Sequence, residues 1–452
     1  MELIKLKDIC EFEKGSTGLA KAESGEYPLV TTGAERKSSN AYQFNTKAVC
    51  IPLVSSTGHG HASLKNVHYQ EGKFALGSIL VALTTKDESK LDIQFLHLYI
   101  SQLKDQVLVP LMSGAANVAL SVTKIQTIEI PLPPLEKQQE IVRKFKSIVR
   151  EEDELKFELN YQQILLKNLR QQILQEAIEG KLTAEWRTDN PDVEPACELL
   201  KRIAAEKAQL VKDKKIKNQK LYTPICEKEK PFDLPNGWEW CRLGEIITDT
   251  DSGWSPQCKV HPASTGKWGV LKTTSVQHMK FLAHENKELP SSLSVRTDLE
   301  TKVGDILITR AGPTNRVGIC ALVRETPSSL MISDKLIRFH PITVCGEFIE
   351  IFIGSQQFQE LIKDYKTGMA QSQVNISQIN LKNVAISLPP LSEQKIIAFK
   401  IEKLLKLCDK LETQINQNQM HAEQLMQAVL KEAFSHDLKT QSTVNILEEL
   451  GA

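Results

Sequence analysis

The chain has 452 residues, 56 basic against 56 acidic side chains and an apolar fraction of 41%, a length that exceeds one hydrophobic core and asks for roughly two to four domains. Balanced charge excludes a chain drawn as a whole to nucleic acid, so any contact with DNA must come from local positive charge or from a partner. No apolar run approaches the ~20 residues of a membrane span and no signal-peptide core follows Met1-Glu2-Leu3-Ile4-Lys5, so the protein is expected in the cytoplasm, with its nine scattered cysteines as reduced, buried thiols.

In chain order, Leu3-Ile4-Lys5-Leu6-Lys7-Asp8-Ile9 is followed by Gly15 and then by Tyr27-Pro28-Leu29-Val30-Thr31-Thr32. A polar turn, Ser55-Ser56-Thr57-Gly58-His59-Gly60-His61, precedes Lys65. The β-branched run Gly77-Ser78-Ile79-Leu80-Val81 reads as a strand with Thr84-Thr85-Lys86 beyond it. Leu132-Pro133-Pro134-Leu135 then leads into apolar residues at alternating spacings of four and three, Ile141, Phe145, Ile148, Leu155, Leu159, Leu166, Leu169 and Ile173, the pattern of a coiled-coil seam. The 41 residues from Gln138 to Ile178 predict a rod of roughly 60 Å at ~1.5 Å of rise per residue.

Between 183 and 237 lies a segment with a helix expected from Glu194 to about Lys212. Residues 201 to 220 carry eight Lys or Arg against two acids. Such a run is commonly a solvated face; contact with DNA phosphates or an acidic partner is the other reading. Pro231, Pro235, Asn236 and Gly237 break the chain, and everything then starts again. Cys241-Arg242-Leu243-Gly244-Glu245-Ile246 matches the opening segment at a separation of 237, Gly253 matches Gly15, and Trp268-Gly269-Val270-Leu271-Lys272-Thr273-Thr274 resembles the run at Tyr27. Gly304-Asp305-Ile306-Leu307-Ile308 resembles Gly77-Ser78-Ile79-Leu80-Val81, which would put Thr309-Arg310 and Thr84-Thr85-Lys86 after equivalent strands. From Met112 to Leu182 the match to the second copy holds without a gap at a separation of 256, pairing Leu132-Pro133-Pro134-Leu135 with Leu388-Pro389-Pro390-Leu391, Gln138 with Gln394 and Ile141 with Ile397. The second seam runs through Ile397, Ile401, Leu404, Cys408, Leu411, Ile415, Ala422, Leu425 and Val429. Two equivalent rods related by a two-fold axis must pair antiparallel, which places two dissimilar globular modules at opposite ends. The amides Gln162 and Asn418 interrupt both seams at the same place, either as tolerated exposed groups or facing one another to fix register.

No catalytic constellation emerges. Ser264-Thr265-Gly266-Lys267 lacks the first glycine and the terminal Ser or Thr of a phosphate loop. Asn190-Pro191 is followed by Asp192 and Val193 where an adenine methylase needs a proline and an aromatic. Pro191-Asp192 leads to Glu198-Leu199-Leu200-Lys201, one residue too long for a nuclease, and His59-Gly60-His61 has no further ligand at zinc spacing. The modules instead offer polar turns whose amides and hydroxyls suit phosphates and whose Arg and Asn suit base edges. The candidates for DNA contact are Thr57, His59, Lys65 and Lys86 in the first module and Thr273, Thr274, Arg310, Asn315 and Arg316 in the second; polar residues on ordinary surface loops are the plainer reading of each. For helix packing they are Ile141, Ile148, Leu155, Gln162, Leu169, Ile397, Leu404, Leu411, Asn418 and Leu425.

Several runs carry a family resemblance: Gln373-Val374-Asn375-Ile376-Ser377 with Leu388-Pro389-Pro390-Leu391-Ser392-Glu393-Gln394, their repeats at Leu120-Ser121 and Leu132-Pro133-Pro134-Leu135-Glu136-Lys137-Gln138, the run from Gly180 to Arg187, and Leu234-Pro235-Asn236-Gly237-Trp238. With them the chain resembles the specificity subunit of type I restriction-modification systems. The resemblance implies an α+β fold, two α/β target-recognition domains in pseudo-two-fold repeat separated by two long antiparallel coiled-coil helices. It divides the chain into residues 1–135 and 238–391 as recognition domains, 136–182 and 392–436 as conserved helices, 183–237 as linker and 437–452 as a tail. It further implies double-stranded DNA as ligand, one half of a bipartite asymmetric target per domain, and methyltransferase and restriction (motor) subunits as partners. Those partners would carry S-adenosylmethionine, ATP and Mg, while this chain binds no cofactor, no metal and no membrane and is not an enzyme by itself. The first domain lacks the Leu-Pro-x-Gly-Trp start of the second. Two other readings fit the same residues: the recognition subunit of a system with a fused methylase-nuclease partner, and a coiled-coil adaptor with no role in nucleic acid binding.

Overall fold

Short apolar runs bounded by Gly, Pro and polar turns build two sheets per module, and the apolar run after each Pro-Pro step builds a long helix. The computed structural model describes residues 3–18, 23–57, 61–114, 118–216 and 222–449, with side chains of 369 and 426–449 left aside, and separates into two units: 1–160 with 416–452, and 161–415.

In the first unit the elements are β1 (Leu3–Lys5), α1 (Leu6–Ile9), β2 (Cys10–Lys14), β3 (Tyr27–Val30), β4 (Lys37–Ser39), β5 (Phe44–Asn45), β6 (Ala48–Pro52), β7 (His68–Gln70), β8 (Lys73–Leu76), β9 (Leu80–Thr85), α2 (Ile93–Val107), α3 (Val122–Gln126), β10 (Glu129–Pro131) and α4 (Leu135–Ile178), the last as far as Asn160. One sheet has the order β2-β9-β6-β7, a second β4-β3-β8-β5, and β1 pairs with β10. All five residues of β6 are buried, so the strand reads as a continuous apolar run and not as an alternation. Val49, Ile51, Val81 and Leu83 pack with Ile93, Leu96 and Ile100 of α2, whose first turn is capped by Asp92 accepting from Gln94 N at 2.7 Å.

In the second unit, after the remainder of α4, come α5 (Ala184–Asp189), α6 (Ala196–Lys212), β11 (Glu239–Arg242), β12 (Asp251–Ser252), β13 (Gly269–Leu271), β14 (Val276–Gln277), β15 (Lys280–Phe281), β16 (Asn286–Glu288), β17 (Ile306–Thr309), β18 (Ala311–Gly312), β19 (Cys320–Leu322), β20 (Leu330–Met331), β21 (Leu336–Phe339), α7 (Gly346–Gly354), α8 (Gln356–Leu361), β22 (Lys366–Ala370), β23 (Gln373–Ile376), α9 (Gln378–Lys382), β24 (Ala385–Leu388) and α10 (Leu391–Glu449), the last as far as Ile415. The sheets run β12-β21-β17-β19 and β16-β13-β20, β11 pairs with β24, and β18-β23-β22 and β14-β15 are additions of this unit.

Strand by strand, the two modules share one topology. Lys5 pairs with Glu129 and Arg242 with Ala385, so the separations of 237 at the front and 256 at the back meet in a single register. β3 runs parallel to β8 and β13 parallel to β20. One expected equivalence fails: β9 lies beside β2, and its counterpart beside β12 is β21, while β17 takes the place of β6. Glycine before a β-branched run is a generic strand start, which both β9 and β17 satisfy. Thr84-Thr85-Lys86 and Thr309-Arg310 therefore do not follow equivalent strands. The true counterpart of the loop after β17 is the loop after β6, and the pairing beyond them agrees: the isolated bridge of Val54 with Ala119 corresponds to the pairing of Ala311 with Asn375 between β18 and β23.

The repeated glutamines explain why the back of each module is invariant in length. Gln138 is fully buried; its Nε2 donates to Lys90 O at 2.7 Å and Pro133 O at 2.8 Å, and its Oε1 accepts from Asp92 N at 2.9 Å. Gln394 donates to Pro389 O at 2.8 Å and accepts from Cys345 N at 2.9 Å, just ahead of α7. Each amide ties the start of the long helix to the start of the module helix. Gln394→Leu leaves two buried backbone groups without partners and is expected to lower stability by about 2–4 kcal/mol, read as a shift in the urea midpoint at unchanged slope.

Within the second unit the two long helices run antiparallel. Ser387 Oγ, just ahead of α10, donates to Ile178 O at 2.8 Å, whereas Arg170, two turns back in α4, reaches Asp409 at 2.7 Å and Glu412 at 3.0 Å further along α10. Burial follows one heptad position on each helix, Leu159, Leu166 and Ile173 on α4 and Ile401, Cys408 and Ile415 on α10. Ile397 is buried, and Ile141, Ile148, Gln162 and Leu404 are half-buried. Leu155, Leu169, Leu411 and Leu425 are 43, 45, 52 and 65% exposed, and Asn418 is exposed. The expected second seam position thus faces outward, because one helix against one helix covers a single narrow stripe.

Cys10, Cys50, Cys241, Cys320 and Cys408 are buried thiols; Cys258 and Cys345 are partly exposed, and Cys197 and Cys226 exposed. Among the described residues no helix is long and apolar enough to cross a membrane, and no group of His, Cys, Asp or Glu could hold a metal ion.

Candidate nucleic-acid interface

At one end of each module the loop after the third sheet strand meets the turn after a strand of the second sheet. In the first unit this joins the loop after β6 to Thr31-Thr32: Asn66 Nδ2 donates to Thr32 O at 3.0 Å. Arg36 crosses the same corner, its Nη1 donating to His68 Nδ1 at 3.1 Å and its Nε to Gln70 Oε1 at 2.9 Å. Burial, helped by the Arg36 charge, pushes the His68 imidazole down to about 4, so it accepts as a neutral ring. Thr57 is exposed, with its amide held by Ser55 Oγ at 3.3 Å, and Lys65 is exposed beside Ser56. His59 lies outside the described residues. Lys86 sits elsewhere, at the end of β9, where Nζ donates to Lys7 O at 2.6 Å.

In the second unit the same junction is built by Arg316. Its guanidinium donates to Gln277 Oε1 at 2.9 Å, Thr273 O at 3.0 Å and Val276 O at 2.9 Å, so this candidate fastens the turn at Thr273. Asn315 is exposed on the loop. Arg310 is half-buried, with Nη1 donating to Ser252 Oγ at 3.3 Å and Nε buried without a partner. Thr273 and Thr274 line a groove of about 560 Å³ together with Ser255, Gln257, Lys272, Glu285, Lys287, Ser333 and Lys335. Lys272 stands 2.7 Å from Glu285 and, with Thr274, holds that carboxyl below the usual range. Lys287 and Lys335 are exposed and enter no ion pair among the described residues.

The groove brings together residues that sequence reasoning missed. Only the Lys272-Thr273-Thr274 run, matched to Thr31-Thr32, hinted at it; Lys287 lies on β16 and Lys335 in the turn after β20, both of which are strands paired with β13. The helices contribute a different surface. In the second unit Tyr161, Ile164 and Leu165 of α4 are 49, 58 and 47% exposed, and Phe399 and Leu407 of α10 are 55 and 54% exposed. These side chains leave apolar area on both helices of this unit open to solvent.

Comparison with known proteins agrees with this geometry. A family model described as type I restriction modification DNA specificity domain matches residues 1–163 and 235–418. The type I restriction enzyme EcoEI specificity subunit of Escherichia coli is 48% identical over 269 residues, which is 58% of this chain and 45% of that protein. The EcoDI specificity subunit of the same species is 23% identical over 454 residues, 97% of this chain and 89% of that one. The chain spans less than half the length of the EcoEI and EcoAI relatives in these matches, at 45% and 42%. Among solved structures, the HsdS subunit from Thermoanaerobacter tengcongensis superposes with a TM-score of 0.53 at 18% identity, over 96% of both chains. A chain from a study of complex assembly and conformational transition in the type I R-M system superposes with a TM-score of 0.57 at 17% identity, over 96% of this chain and 97% of that one. These likenesses concern the fold.

Proposed function

The chain belongs to the family of the type I restriction modification DNA specificity domain, and from that premise we propose that it is the specificity subunit of such a system, each module reading one half of a bipartite, asymmetric target in double-stranded DNA. The observation that carries this reading is the repetition itself: two modules of one topology, each joining a loop to a turn at the same end of its sheets, with different side chains at that end. One framework with two reading surfaces suits a target made of two unlike words. The chain supplies recognition and no catalytic group; methyltransferase and restriction subunits dock on the helices, whose exposed Tyr161, Ile164, Leu165, Phe399 and Leu407 offer apolar area for a partner. S-adenosylmethionine, ATP and Mg belong to those subunits, and the complex acts in the cytoplasm.

Sequencing modified adenines in host cells with and without this chain tests the reading. The expected result is a methylated motif of two fixed blocks around an unread spacer that vanishes when the chain is removed. Identical methylation in both cells would overturn it.

A further inference from the structure

We propose, building on the DNA reading, that the groove at the ends of β13 and β20 is the surface by which the second module grips its half of the duplex, with Lys287 and Lys335 on backbone phosphates and the Ser333 hydroxyl bonding the group that enters. Four observations converge there. Because β13 and β20 run parallel, the turns that follow them, Lys272-Thr273-Thr274 and Ser333-Asp334-Lys335, emerge on the same side. Gly253 lets the next segment cross that end: a Cβ would fall 1.9 Å from Ile332 O, so only glycine admits the approach that makes Ser255 and Gln257 the groove's wall. Ser255 Oγ is bonded to the Asp334 carboxylate, and Glu285 is taken up by Lys272 at 2.7 Å. Glu285 is thereby neutralised and the Asp334 carboxylate held by a hydroxyl, and Lys287 and Lys335 enter no ion pair among the described residues.

The fourth observation is the floor. Ser333, one of the residues lining the groove, is 6% exposed, and its hydroxyl is buried without a hydrogen-bond partner. Buried hydroxyls in folded proteins are nearly always paired, so an orphan in a residue that lines a cationic groove marks a bond left for a ligand oxygen or nitrogen. Lysines act as point charges toward phosphate and set grip and register, whereas a buried hydroxyl discriminates by shape and donor pattern.

The test uses the full chain co-expressed with methyltransferase and restriction subunits and titrated with a fluorescent random-sequence duplex over a range of salt. Lys287→Ala with Lys335→Ala is expected to weaken binding about tenfold or more at low salt and to reduce the slope of log K against log salt by about two, at ~0.9 for each phosphate no longer neutralised. Ser333→Ala is expected to weaken binding several-fold with the slope unchanged and the melting temperature unchanged or raised, since no bond within the protein is removed. A lowered melting temperature with unaltered binding would make Ser333 structural and remove it from the proposal. If the wild-type complex binds while the lysine pair retains its affinity and slope, the groove is not the gripping surface and the DNA reading stands. If the wild-type complex shows no salt-dependent binding at all, the DNA reading itself falls.

Discussion

Replacing Glu393 by alanine is expected to destabilise the second unit by about 3–5 kcal/mol, the loss typical of breaking a buried charge pair by removing one partner. The carboxylate is fully buried and gathers four donors: Thr183 Oγ1 at 2.6 Å, Arg187 Nη2 at 2.8 Å and Nε at 3.2 Å, and Trp238 Nε1 at 2.9 Å. Arg187 also donates to Gly180 O at 2.6 Å and lies over the Trp238 ring at 5.8 Å. A single side chain of α10 thus holds the segment from the end of α4 into the linker, Gly180 to Arg187, together with the start of the second module at Trp238. Without it a guanidinium, an indole N–H and a hydroxyl remain in a space water enters poorly. Glu393→Gln is expected to retain part of the stability, since an amide oxygen at the Oε1 position still accepts from Thr183 and Arg187 while its NH2 opposes the Trp238 N–H. Lys137 occupies the same repeat position in the first copy with its side chain 51% exposed, so Lys137→Ala is expected to stay within about 0.5 kcal/mol of wild type. Urea unfolding of the three variants measures the contrast; equal losses at Glu393 and Lys137 would refute it.

This cluster also explains what the sequence could reveal. The run from Gly180 to Arg187 and the run from Leu234 to Trp238 are recognisable because their side chains converge on Glu393. Gln138 and Gln394 hold the repeat in step for the same kind of reason, a buried amide serving backbone groups on both sides. Periodic and buried constraints leave a linear trace. Reading surfaces do not: Lys287 and Lys335 meet only in the folded groove, and nothing local separates them from any solvated lysine. Arg316 shows the opposite, a conspicuous loop arginine whose guanidinium also bonds Gln277, Thr273 and Val276 within the module, a role nothing in the linear sequence announces. The helices were legible in existence and antiparallel sense but not in their face, because alternating spacings of three and four fit two adjacent stripes and burial selects the one through Leu166, Ile173, Cys408 and Ile415.

Inserting one heptad into each of α4 and α10, at the level where Arg170 meets Asp409 and Glu412, is expected to lengthen the unread spacer of the target while leaving its two words intact. Seven residues add ~10.5 Å of helix, close to about three base pairs at ~3.4 Å per step. Seven is also the insertion the buried stripe tolerates, for Leu159, Leu166 and Ile173 recur at that interval, as do Ile401, Cys408 and Ile415, and a full heptad returns each to its facing residue. Antiparallel sense requires that both helices be extended together. A heptad in α4 alone shifts its stripe along α10 and sets Ile173 against new neighbours, so that variant is expected to lose stability without yielding a new spacer. The Arg170 pairs are too exposed to resist such a shift, being worth about 1 kcal/mol or less; the apolar stripe decides the register. Sequencing of methylated sites distinguishes the outcomes: a longer gap with the same letters follows if the paired helices set the spacing, whereas changed letters around an unchanged gap would mean that the helices act on the reading surfaces themselves.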